Sequence, residues 1–120
     1  MEKAKKFQDL LVWQKAHQLT LKVYNITQSF PDLEKFGLVS QMRRASVSIP
    51  ANIAEGFVKR GKKDKINFYN IAQGSLEEIK YYFILSEDLG YCDSSEELRY
   101  FVDEVGKMIS GLINSIQKIP

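Results

Sequence analysis

Gly56-Phe57-Val58-Lys59-Arg60-Gly61-Lys62 has the spacing of a phosphate-binding loop through its first seven positions. The eighth is Lys63, where such a loop needs a Ser or Thr hydroxyl on magnesium, and no strand-like segment precedes it. The run reads instead as a connection between helices that contains two glycines. A di-iron bundle site needs Glu-x-x-His pairs on facing helices. The single His17 has Gln14 at that spacing, so no metal site is expected. Cys92 is followed by Asp93, Glu96 and Glu97, which raise a thiol pKa where a nucleophile needs it lowered. No paired acid and base emerges, so neither an enzyme nor a cofactor is expected.

Two other groups carry more information. Arg43, Arg44, Ser46, Ser48, Asn52 and Glu55 are too polar for a helix that simply faces a core. Ser46, Ser48, Asn52 and Glu55 are assigned to a hydrogen-bonded network that fixes helix register, with Ser75 or Glu78 opposite, because buried polar groups need partners; the alternative for this constellation is a ligand or partner site. Lys59, Arg60, Lys62, Lys63 and Lys65 form the densest basic run, interrupted by Asp64. It is either a solvated connection or, with Arg43 and Arg44, a phosphate-contacting surface for nucleic acid. The aromatics beside it, Phe57, Phe68 and Tyr69, could stack on unpaired bases, although helical spacing makes the last two candidates for the core.

Helices must position these groups. Val12, Ala16, Leu19, Val23, Ile26 and Phe30 recur in steps of four and three, with Asp9 as a candidate cap and Pro31 as the stop. A second stripe runs Leu38, Met42, Ala45, Ile49 and Ile53. Pro50 lies within it, predicting a bend near Ser46 whose freed carbonyls the Ser46 and Ser48 hydroxyls could satisfy. The third stripe holds Tyr69, Ala72, Leu76, Ile79 and Phe83, capped by Gly61 and ended by Gly90. Ser94 with Glu97 reads as a capping box for the fourth. That segment repeats Leu98, Phe101, Val105, Met108, Leu112, Ile116 and Ile119. The pattern predicts an all-α, antiparallel up-down four-helix bundle, a single domain over 1–120.

The 120 residues suffice for one core. One cysteine excludes a disulfide scaffold. No apolar run approaches the roughly 20 residues that a membrane span needs, and the basic N-terminus lacks the apolar core of a secretion signal. A cytoplasmic protein is therefore expected. Net charge is only +2, but residues 1–60 hold ten Lys/Arg against five Asp/Glu, and residues 61–120 hold seven against ten.

Three segments resemble one known family. They are Phe7-Gln8-Asp9-Leu10 with Val12-Trp13-Gln14-Lys15-Ala16, the run from Gln41-Met42-Arg43-Arg44 to Asn52-Ile53-Ala54-Glu55-Gly56, and Ile71-Ala72-Gln73-Gly74-Ser75-Leu76-Glu77-Glu78. They look like the small helical bundles encoded by intervening sequences in bacterial large-subunit ribosomal RNA genes, which carry a ribosomal-protein-like label. The accessory variability proteins of retroelements are related. The resemblance implies an up-down bundle, a homopentamer and a nucleic-acid role, and it implies no enzyme and no true ribosomal subunit. One departure is Gly61, where the family commonly has Ser or Thr; glycine still caps acceptably.

Self-association also has a physical counterpart. Trp13, Leu21, Tyr24, Tyr81, Tyr82 and Leu85 lie on flanks that a lone bundle would keep polar. A closed ring would repeat one weak basic patch and raise its avidity. The expectation is an oligomeric RNA- or ribonucleoprotein-binding bundle, with Arg43, Arg44, Lys59, Arg60, Lys62, Lys63 and Lys65 on phosphates. The competing expectation is a protein-interaction scaffold without affinity for nucleic acid.

Overall fold

The computed structural model describes residues 3–120. It contains four long helices: α1 (Leu11–Thr27), α2 (Leu38–Val58), α3 (Lys62–Asp88) and α4 (Glu96–Gln117). Single 3-10 turns at Phe7–Asp9 and Asp32–Glu34 precede α1 and α2. No strand occurs among the described residues.

Cross-helix partners fix the direction of each helix. Ser48 of α2 meets Ser75 of α3 and Met42 meets Ser86, so numbers fall on one helix as they rise on the other. The same inversion links α1 to α2 through Thr20–Ser46 and Thr27–Arg43. It links α3 to α4 through Gln73–Ser110 and Glu87–Arg99. Neighbouring helices are therefore antiparallel, and α1 closes the bundle against α4 through the Lys15–Glu104 pair at 3.6 Å. The molecule measures 49 × 26 × 20 Å.

The core follows the stripes of α1, α2 and α3. Ala16, Leu19, Val23, Met42, Ile49, Ile53, Ala72 and Ile79 have no exposed surface. In α4 the buried line is Val102, Val105, Ile109 and Ile113, whereas Leu98, Phe101, Met108, Leu112 and Ile116 are half-buried. This helix carries an apolar arc two residues wide. The β-branched edge of that arc faces inward, and the longer side chains lie along the bundle's flank.

Three helix ends differ from expectation. Asp9 does not cap α1; it sits in the preceding turn and accepts from the Lys5 and Lys6 amides. The first helix stops at Thr27, short of Pro31. Ser95, one residue later than expected, caps α4 by accepting from the Leu98 amide at 3.1 Å. Gly61 does precede α3, and Gly90 takes the left-handed conformation at φ 76° that stops a helix.

Pro50 is accommodated across the helix interface. Proline has no N–H, so the Ser46 carbonyl four residues earlier lacks its usual donor. Helix α2 nonetheless runs on past Pro50 to Val58. The hydroxyl of Thr20 on α1 donates to that Ser46 carbonyl at 2.9 Å. Ser46 sends its own hydroxyl to the Arg43 carbonyl and Ser48 is occupied elsewhere, so neither serine performs the compensation expected of it.

Candidate nucleic-acid interface

Each of the seven cations expected at phosphates has a definite place. Arg43 is half-buried against the last turn of α1. Its Nε donates to Thr27 Oγ1 at 3.0 Å, its terminal nitrogen reaches the Tyr24 carbonyl at 3.4 Å, and its guanidinium lies 4.6 Å from the Tyr24 ring centroid. A cation over the last carbonyls of a helix offsets their partial negative charge. Arg43 is thereby committed to holding α1 on α2. Its neighbour Arg44 is exposed.

The other five surround the three-residue connection between α2 and α3. Lys65 donates to the Phe57 and Gly56 carbonyls at 2.8 and 3.2 Å, capping the C-terminus of α2. Burial pushes its pKa down. Lys62 reaches across to the end of α4 and donates to the Gln117 and Ile119 carbonyls at 2.8 and 2.6 Å. Lys59 lies over the Phe68 ring at 5.2 Å. Arg60 and Lys63 are exposed, and no described side chain forms an ion pair with either. Some of the run thus fastens helix ends, and the rest points outward.

The two basic groups do not share one patch. Arg44 and Lys59 are separated by fifteen residues, roughly 22 Å of helix at about 1.5 Å per residue. The topology instead gathers cations that are remote in sequence. The start of α1, the end of α2, the start of α3 and the end of α4 all lie at one end of the bundle. Lys3, Lys5, Lys6 and Lys118 therefore join Lys59, Arg60, Lys62, Lys63 and Lys65, against Asp9 and Asp64 among the described residues. At the opposite end, the segments 28–37 and 87–99 carry seven carboxylates against Lys35 and Arg99. A charge asymmetry between sequence halves has become a charge difference between bundle ends. The four amino- and carboxy-terminal lysines were absent from the sequence expectation because only the topology reveals that they join this group.

Polar residues of α2 divide between two sides. Asn52 donates to the Ser48 carbonyl at 2.7 Å and its hydroxyl at 2.9 Å, and Ser75 of α3 donates to the same hydroxyl at 2.8 Å. Ser46 lies on the α1 side with Thr20, and Glu55 is exposed. Opposite Gln41, Tyr82 approaches Glu78. Burial and then the Glu78 charge and hydrogen bond raise its pKa.

Of the candidate interface residues, Leu21, Tyr24 and Tyr81 are exposed and Trp13, Tyr82 and Leu85 are half-buried. Trp13 is engaged within the chain, edge-on to Phe7 and stacked on His17, each at 5.1 Å between centroids. Val47 and Ile71 are exposed besides.

A cavity between α1, α3 and α4 is floored by Ile26, Phe83, Leu98 and Phe101 and reaches Cys92. Burial, with Glu87 and Asp93 alongside, pushes that thiol's pKa up. Among the described residues no group of His, Cys, Asp and Glu is placed to hold a metal, and no helix is long and apolar enough to cross a membrane.

The family described as 23S rRNA-intervening sequence protein matches residues 8–111. The chain belongs to that family. A solved structure from Bacteroides thetaiotaomicron is described as a protein with unknown function from the S23 ribosomal protein family. It is 24% identical and superposes with a TM-score of 0.75 over 87% of this chain and 96% of that one, so the two share a fold. No curated protein matches the chain. The matched region includes α1, α2, α3, the basic connection and α4 as far as Gly111, and leaves out Lys3, Lys5, Lys6 and Lys118.

Proposed function

We propose that this intervening-sequence protein binds structured RNA, alone or within a ribonucleoprotein, through the basic end of its bundle. The observation that carries the reading is the gathering there, among the described residues, of nine Lys/Arg against two carboxylates. Arg60 and Lys63, exposed at the centre of the group, make direct phosphate contacts, with Lys59 beside them. Lys62 and Lys65 hold the helix ends on which those side chains stand. Arg44 is a separate contact further along α2. Each phosphate neutralised releases condensed counterions, so affinity falls with salt. The family is that of 23S rRNA-intervening sequence proteins, and ribosomal RNA is the target class this reading takes.

The role is one of binding without catalysis. Burial, and then the Glu87 and Asp93 carboxylates, disfavour the ionised form of the one thiol, the reverse of an activated nucleophile. The protein works in the cytoplasm as a homo-oligomer, with five subunits as the family resemblance implies. Leu21, Tyr24 and Tyr81, 40–57% exposed, supply an apolar surface for lateral contacts. The same exposure favours a second reading, an adaptor that uses these faces for another protein.

Fluorescence anisotropy with a structured ribosomal RNA fragment separates the two readings. Arg60→Glu combined with Lys63→Glu is expected to weaken binding at least tenfold with helicity unchanged. Arg43→Met is expected to leave RNA affinity within twofold. Unchanged affinity in the double variant removes the basic end from the proposal, and wild type that is folded but does not bind at low salt leaves the adaptor.

A further inference from the structure

Each end of the bundle combines its charge with exposed apolar side chains. At the acidic end Leu33 is 79% and Phe36 90% exposed. Their position is set by a closed turn. The Glu34 amide donates to the Pro31 carbonyl at 2.9 Å and the Gly37 amide to the Glu34 carbonyl at 3.0 Å. The Glu34 carboxylate accepts from the Tyr91 hydroxyl at 2.9 Å and the Leu38 amide at 3.3 Å. Phe30 packs below against Tyr91, with ring centroids 5.3 Å apart. At the basic end Leu11, Val58 and Ile119 are 53–63% exposed. The long axis of 49 Å exceeds the Debye length of roughly 8 Å at physiological salt several times over, so the opposite charges do not neutralise each other within one molecule.

We propose that the acidic end of one copy docks head to tail on the basic end of a second copy. Phe36 and Leu33 then pack against the Val58 and Leu11 side of the neighbour, inside a ring of opposite charges. Complementarity identifies the occupant: the chain itself carries the basic, apolar-centred surface that the acidic, apolar-centred end requires. The contact is heterologous and does not close on itself, so it stacks units along the bundle axis. It leaves the lateral faces free and needs no RNA, so it stands independently of the RNA-binding reading. Transverse dimensions of 26 × 20 Å limit the contact to roughly 400 Å² per partner, about half of a standard interface. A single contact is therefore weak and salt-sensitive, and becomes firm only where several ends stack side by side.

Sedimentation velocity without RNA tests this with two variants whose changes lie on exposed side chains. One loses its basic end through Arg60→Glu and Lys63→Glu, the other its acidic end through Phe36→Lys and Glu96→Lys. Wild type is expected to gain mass with concentration at low salt and to return to the lateral unit in high salt. Each variant alone should remain at the lateral unit. An equal mixture should double in mass and go no further, because one intact acidic end meets one intact basic end. Wild-type mass that ignores salt and concentration, a variant that stacks alone, or a mixture no heavier than its components overturns the proposal.

Discussion

Replacing Thr20 by Val should destabilise the protein through the Ser46 carbonyl, and removing Pro50 should abolish that effect. Thr20 is 8% exposed and Ser46 fully buried, and the hydroxyl reaches the carbonyl at 2.9 Å, closer than its 3.2 Å to the Ala16 carbonyl. In Thr20→Val a buried acceptor loses its donor, at a cost of about 1–3 kcal/mol. In Pro50→Ala the new backbone N–H can donate to Ser46 from within α2. Thr20→Val should then cost less than about 0.5 kcal/mol, so the two changes couple by roughly 0.5–3 kcal/mol. Urea unfolding of the wild type, both single variants and the double variant measures this, at one protein concentration so that assembly contributes equally. Valine and threonine are both β-branched, so helix propensity nearly cancels. Additivity within about 0.5 kcal/mol would refute the claim that Thr20 replaces the missing donor.

Other consequences are equally measurable. A Cβ at Gly56 would lie 2.5 Å from Tyr69 Cε1, a ring that is 1% exposed, so Gly56→Ala must displace it. Chemical denaturation should show a loss of about 1–3 kcal/mol, the usual cost of overpacking. Tyr69, Tyr82 and Tyr91 have raised pKa values, the first two chiefly by burial and Tyr91 chiefly by its hydrogen bond to Glu34. The folded state holds these protons longer, so their contribution is complete below the ordinary tyrosine pKa and is lost as pH rises through the raised values. Tyrosinate absorbance should appear at higher pH in the folded than in the urea-unfolded protein, and stability should fall in that same alkaline window. Arg43→Met should lower stability by about 1 kcal/mol in urea unfolding, since it removes a charge-assisted bond and a stacked ring contact. If copies dock end to end, saturating RNA should dissolve the stacks seen in light scattering, because Arg60 and Lys63 serve both contacts.

Much of this was legible before the structure. Three of the four apolar stripes mark the buried faces, because steps of three and four leave little freedom in which side turns inward. In α4 the same reasoning is off by one residue, since Val102, Ile109 and Ile113 run beside the half-buried Phe101, Met108 and Leu112. Two adjacent apolar lines leave the choice to tertiary packing. Thr20 left no local signal: its partner was freed by a proline thirty residues away, on another helix. The candidate site was legible in part for the same reason. The run from Lys59 to Lys65 is contiguous, but Lys5, Lys6 and Lys118 join it only when helix ends meet, and Arg43 leaves it only when Tyr24 and Thr27 come alongside.

The most direct test of the central claim is the salt dependence of RNA affinity for the wild-type protein. Contacts at Lys59, Arg60 and Lys63 predict that log affinity falls linearly with log salt with a slope of about −2 or steeper, from ~0.7–0.9 per phosphate. The Arg60→Glu, Lys63→Glu variant should lose most of that slope. A flat salt response, or an equal slope in the variant, would contradict phosphate recognition by the basic end.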